Sequence, residues 1–322
     1  MGLAILFCLF FYPELGIDLF WNLLIPLAPA LLVLALGVWR NLCPMAFTSL
    51  LPRHWGTSQR KTLTPTQTSR LNLMGVLALF LIVPLRHAFF DLNGPATGLL
   101  VLSLGAVAFG LGFFYEWKSA WCSGLCPVHP VEKLYGLTNR LTLPNAHCGA
   151  CHQCVRPCPD STPGINPLSL KKTLTQKTSG YLMAGAFPGF VWGWFQVPDS
   201  HGVSSWGELL GLYHMPVMGL LASGGLFLLL NRFVEEKRLI AVFAAAAVSC
   251  YYWFRLPALF GYGVFPGDGL LVDVSAILPE WVFTLATVAL SVFLFWWIVV
   301  NQKRKASWVV RPAFARTNNR RT

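Results

Sequence analysis

Four cysteines, Cys148, Cys151, Cys154 and Cys158, fall within "NAHCGACHQCVRPCPD", Asn145 to Asp160. Two gaps of two residues, one of three and a following proline make the spacing of a bacterial ferredoxin cluster run. The reason is geometric. Gaps of two residues let a tight loop curl around a cubane so that three thiolates meet three iron corners. Backbone N–H groups turned inward then serve the cluster sulfides. Pro159 sends the chain away after the fourth cysteine, because proline cannot continue a helix. Structural zinc sites instead pair two short Cys/His motifs across a longer gap. The expected cofactor is therefore one [4Fe–4S] cluster, with these four cysteines as its metal ligands and no catalytic residue beside them.

Three more cysteines extend the question. "VWRNLCPMAF" and "SAWCSGLCPVHP" both place an aromatic residue, then Leu-Cys-Pro, just beyond an apolar stretch. They contribute Cys43, Cys122 and Cys126, a second thiol site expected at the same depth as the run. Cys126 or Cys43 could complete the first cluster while Cys158 helps to bind a second centre. Two such centres need eight ligands, which brings in His129 or Asp160. Such soft thiolates also suit Cu(I). His129, His147 and His152 read first as solvated loop residues. Lys118, Lys133 and Arg156 either offset cluster charge or serve the loop's basic character.

The elements that must position these residues are membrane spans. Of 322 residues, 55% are hydrophobic and 11% charged, against about 25% charged in a globular chain. Mean hydropathy is +0.56. A window of roughly 20 residues, the length that crosses a bilayer, gives seven spans: 17–39, 71–90, 95–115, 180–197, 207–230, 239–260 and 281–300. The fold class is an all-α polytopic membrane protein with a small ferredoxin-like insert. The expected parts are an N-terminal membrane part (1–116), an iron–sulfur insert (117–178), a C-terminal membrane part (179–300) and a basic tail (301–322). The insert is too small and too polar to build its own core and needs a metal to fix it. Residues 1–12 are apolar but too short to span and lack a signal peptide's basic start. Cys8 and Cys250 read as small buried apolar residues.

Charge sets the orientation. Of 24 Lys and Arg, 22 fall in segments 40–70, 116–178, 232–238 and 301–322. Arg86 and Arg255 are the exceptions, among acidic residues such as Asp91, Asp199 and Asp268. Basic short loops stay in the cytoplasm, so the expected location is a bacterial inner membrane, multi-pass. The cysteine loop and C-terminus lie inside and the N-terminus outside. Trp39, Trp117, Trp121 and Trp281 fit an interfacial belt. The net charge of +11 belongs to loops and tail beside anionic lipid, not to nucleic-acid binding. His87 and His214 invite a bis-histidine haem, but an interfacial His87 and a helix-packing His214 are the simpler reading. Glu116 reads as a snorkelling carboxylate, with a proton or quinone contact as the rival. Gly219, Gly224 and Gly225 read as close-packing residues.

"CSGLCP" and "CGACHQCVRPCP" resemble the membrane-bound iron–sulfur proteins of the NapH/NosR/CcoG kind, over residues 17–197. Trp39 stands where the first motif's leading cysteine would be, a second cluster run is absent, and the last three spans fall outside the resemblance. The resemblance implies an electron carrier or redox subunit rather than a stand-alone catalyst. It would pass single electrons at the cytoplasmic face, with quinone as an optional carrier and an unidentified respiratory-type oxidoreductase as partner. Two further readings stand beside it: a copper-handling assembly factor, and a structural or transport subunit whose cluster only folds the insert. Neither residues nor resemblance fixes the oligomeric state.

Overall fold

The computed structural model describes residues 2–116, 120–139, 141–144, 166–200, 203 and 205–301. The described residues are mainly helical, with an isolated bridge between Lys61 and Tyr115. In chain order they form α1 (Gly2–Phe11), α2 (Pro13–Leu34), α3 (Leu36–Leu42), α4 (Pro44–His54), α5 (Pro65–His87) and α6 (Gly94–Phe114). There follow α7 (Val128–Tyr135), α8 (174–194), α9 (Trp206–Leu230), α10 (Glu236–Leu259) and α11 (Glu280–Val300).

Six of these, α2, α5, α6, α9, α10 and α11, are long and apolar enough to cross a membrane. They coincide with six of the seven expected spans within a few residues at each end, apart from the first. That span ends early: Ala35 leaves helical geometry (φ −145°, ψ 55°), so α2 stops at Leu34 and α3 is a separate short helix. The expected span at 180–197 is α8, which is not among the six. It starts polar, at Leu174–Tyr181, then widens through a π turn at Leu182–Ala186. Its residues Met183–Phe187, Phe190, Val191 and Trp194 are buried. A helix enclosed by other helices can be built from glycine and alanine, which carry little hydropathy.

By backbone contacts the chain forms two compact units. Of the described residues, one comprises those up to Pro29, Leu77–Val101 and those from Gly180 to Asn301; the other comprises Ala30–Val76 and those from Leu102 to Ser179. The first unit is centred on α8, α9 and α10. Ser205 caps α9 by accepting the Glu208 N–H at 3.3 Å. Gly189 and Gly219 bring the backbones of α8 and α9 into direct contact, and a Cβ at either would overlap the other's carbonyl. The Ser223 hydroxyl donates to the Gly185 carbonyl across the same seam, at 2.6 Å. Small residues and such hydrogen bonds are how helices associate in lipid, where apolar burial drives little. In the same unit α1 lies against the start of α6: a Cβ at Gly94 would overlap Leu9 and Pro13, and one at Gly98 would overlap the Phe10 ring.

In the second unit the segment after α4 is tied to the end of α6. Gln59 N–H donates to the Phe113 carbonyl (2.7 Å), Lys61 N–H to Phe114 (3.0 Å) and Glu116 N–H to Lys61 (2.8 Å).

Replacing Gly219 by valine forces α8 and α9 apart and should cost about 1–3 kcal/mol, read as a lower thermal midpoint in detergent. Gly225, which has nothing within 4 Å of its would-be Cβ, should accept valine with little change.

Candidate functional site

Each unit holds a buried polar constellation. In the second unit it is built on two Cys-Pro turns. A residue before proline is pushed out of helical geometry, so α3 ends on Cys43 (φ −63°, ψ 112°), and Pro44 opens α4. A π turn at Trp121–Leu125 ends in the same way on Cys126 (φ −58°, ψ 119°) before Pro127 and α7.

Cys122 lies inside the π turn, buried, with its Sγ 3.9 Å from the Ser49 hydroxyl. Cys43 and Cys126 pack against the same apolar cluster as Cys122, around Ala46, Ala108 and Trp121. The structure thus brings the three cysteines of the expected second thiol site together. Burial pushes the Cys126 thiol well above its ordinary range, with Glu132, Cys43 and Cys122 adding to the effect. Cys43 is raised as well, by burial first and against the pull of the Ala46 N–H. Without a metal these are thiols, and a metal must displace their protons to bind.

A buried ion pair joins the two turns. Arg40, in α3, meets Glu132, in α7, at 2.5 Å. Trp39 donates its indole N–H to the other Glu132 oxygen at 3.0 Å. His129 Nδ1 lies 3.0 Å from Arg40 and 3.1 Å from Glu132. His129 is fully buried, which corrects its reading as a solvated loop residue. Burial, with Arg40 close by, lowers the Lys133 ammonium to about 8. Glu116 is corrected too. It does not snorkel but sits buried against Arg53 at 2.5 Å. The run Cys148, Cys151, Cys154 and Cys158 lies outside the described residues, as do Lys118, His147, His152, Arg156 and Asp160.

The first unit's constellation was missed in the sequence. Arg86 and His87 are each 5% exposed, so their side chains turn into the fold and do not reach water. The Arg86 guanidinium forms a bidentate pair with Asp91, at 2.9 and 3.2 Å. It also lies over the Trp21 ring at 4.0 Å and the Trp194 ring at 4.9 Å. His87 Nε2 donates to the Trp194 carbonyl at 3.0 Å, and Nδ1 is 2.6 Å from Asp199. A carbonyl only accepts, so Nε2 carries hydrogen; the short contact to Asp199 then needs one more, on the ring or the carboxyl. Asp199 N–H donates to Asp268 at 2.7 Å, and burial raises the Asp268 carboxyl against the pull of that N–H.

A wide π turn in α2, Asp18–Leu24, delivers Trp21 and Asn22 to this network. Arg255 donates to the Trp21 carbonyl at 3.0 Å and to Asn22 Oδ1 at 2.5 Å. A cleft of about 320 Å³ opens beside Asn22, Asp91, Asp199, Asp268 and Leu270. Donor atoms of His87, Asp91 and Asp199 lie within 4.8 Å of one another, but Arg86 already holds both Asp91 oxygens. The arrangement is an ion network that neutralises itself. His214, read as a helix-packing residue with a haem pair to His87 as the rival, lies exposed on α9. The available signal was the two arginines set apart from every basic loop: each needed an acid or carbonyl inside the fold.

No protein-family model, no curated protein and no solved structure matches this chain.

Two measurements check these networks. Arg40→Ala strands Glu132 as a buried charge and should cost about 3–5 kcal/mol, seen as a fall in thermal midpoint that Glu132→Gln added to it partly restores. Arg86→Lys keeps the charge but loses the flat stack between two indoles and the bidentate fork. It should lower stability by about 2 kcal/mol in the same assay.

Proposed function

We propose that this chain is a membrane-anchored electron carrier. It holds a [4Fe–4S] cluster on Cys148, Cys151, Cys154 and Cys158 and passes single electrons at the cytoplasmic face of a bacterial inner membrane. The observation that carries the reading is the spacing of that run, three thiols at successive gaps of two with a fourth before proline. Such a cluster supplies reversible one-electron chemistry, and the protein sets its potential through burial, hydrogen bonds and nearby cations.

Two features support the placement. Six apolar helices suit a membrane-embedded chain, and the basic residues gather in loops that then share one side. Counting the buried α8 as a seventh crossing puts the cysteine run and the basic tail together on the cytoplasmic face, with the N-terminus outside. A cluster on one face cannot itself move an electron across a hydrocarbon core of about 30 Å. A quinone, or a partner oxidoreductase that reaches the far side, completes the path.

Anaerobic purification should give a brown protein with acid-labile sulfide and an EPR signal that appears on reduction with dithionite. Cys151→Ser should abolish that cluster's signal; an unchanged spectrum would remove the assignment. A redox-silent protein carrying stoichiometric copper would favour an assembly factor instead.

A further inference from the structure

We propose that His87 and Asp199 form a proton-binding site in the wall of the first unit's cleft, and that the bound proton holds that wall in place. The ligand is the proton itself. The inference goes beyond electron transfer and does not depend on the cluster.

Three observations carry it. The first is a forced tautomer. The His87 ring stacks on Trp194 with centroids 4.7 Å apart, and its Nε2 meets the Trp194 carbonyl at 3.0 Å. Trp194 is held in turn, its indole N–H donating to the Val83 carbonyl at 3.1 Å. A carbonyl only accepts, so Nε2 carries hydrogen. Nδ1 then faces Asp199 Oδ1 at 2.6 Å. A bare ring nitrogen and a bare carboxylate are both acceptors and repel at that distance. One proton, on the ring or on the carboxyl, turns the contact into a short hydrogen bond.

The second observation is charge. Three carboxylates, Asp91, Asp199 and Asp268, line the cleft. Two guanidiniums stand against them, Arg86 on Asp91 and Arg255 on the Trp21 carbonyl and Asn22, so one added proton balances the set. The other ionisable groups nearby are already engaged or lie outside. Tyr251 on α10 is a neutral phenol beside Arg255, and Asp18 on α2 accepts from the Asn22 amide at 2.8 Å. On α9, which packs on Ala88 through Leu212, the Tyr213 hydroxyl donates to the Leu81 carbonyl, while Glu208 and His214 are exposed. Asp273, exposed beyond Asp268, accepts the Ser275 N–H.

The third observation is position. His87 is buried, but Asp199 lines the cleft of about 320 Å³, which gives the proton a way in and out. The segment that carries Asp199 is tied on both sides: Ser200 N–H donates to the His87 carbonyl at 2.7 Å and Asp199 N–H to Asp268 at 2.7 Å. When the shared N–H or O–H bond breaks, the proton leaves to cleft water and no electron moves. Two acceptors then face each other, the Asp199 carboxylate swings away, and the wall loosens. Burial raises the Asp268 carboxyl, so it too gains a proton as the pH falls, and the test must separate the two.

The test uses the full chain in detergent, with thermal midpoints from about pH 6 to about pH 9, a range that spans the ordinary histidine titration. The wild type should lose stability as the pH rises, with a slope of about one proton, because the folded state keeps a proton that an unfolded histidine has released. Asp199→Asn should flatten that slope, since its amide N–H donates to Nδ1 and needs no added proton. Asp268→Asn should leave the slope in place. The wild-type proton NMR spectrum at pH 6 should show the far-downfield resonance of a short hydrogen bond, lost in Asp199→Asn and unchanged in Cys151→Ser. An Asp199→Asn chain with the wild-type slope would overturn the proposal. Should that variant fail to fold, the wild-type resonance decides: present at pH 6 and lost as the pH rises, it supports the site; absent, it overturns it.

Discussion

The contact between Arg40 and Glu132 is the constraint on which the second unit depends. Neither side chain reaches water, and each sits in a short helix too brief to hold its place alone. Their attraction is reinforced against desolvation by the Trp39 indole, which donates to Glu132, and by His129 beside both groups. One pair therefore fixes the distance between two turns far apart in sequence. Because Cys43 lies three residues after Arg40 and Cys126 six before Glu132, fixing the pair also fixes the thiols. An apolar contact of the same size would hold the helices together while letting them slide.

The first unit repeats this logic with other groups. Arg86, Asp91, His87, Asp199 and Arg255 are nearly all the charge its interior contains, and each is matched to an opposite charge, a carbonyl or an aromatic face. In a chain with so few charged residues, burying some of them in pairs makes helix association directional. The close seam of Gly189 and Gly219 supplies contact, and the ion network supplies orientation.

Much of this was legible in sequence, and the failures have physical causes. Apolar runs marked α5, α6, α9, α10 and α11 because a helix facing lipid must be apolar along its length. The apolar run at 180–197 also marked a helix, α8, but one that begins in a polar segment and is largely buried by its neighbours, so it is not among the six long apolar ones. The echo of Leu-Cys-Pro foretold that Cys43 and Cys126 would meet, since proline dictates the conformation of the residue before it. The ion pair that joins them left no local mark: Arg40 and Glu132 look like ordinary loop charges until the chain is folded. Arg86 did leave a mark, standing on the acidic side of the charge pattern, yet position alone did not reveal that it was buried.

The π turn at Trp121–Leu125 has a consequence for how this segment can change length. Its N–H groups reach back five residues, Leu125 to Ala120 and Cys126 to Trp121, at 2.9 Å each, so the turn holds one residue more than an α-helix would. Deleting Ser123 or Gly124 would restore regular winding and rotate everything before it by about 100° about the axis. Cys122 would then swing off the face it shares with Cys43 while Cys126 stayed in place. The helical phase of these few residues is thus as much a part of the thiol arrangement as the identity of the cysteines.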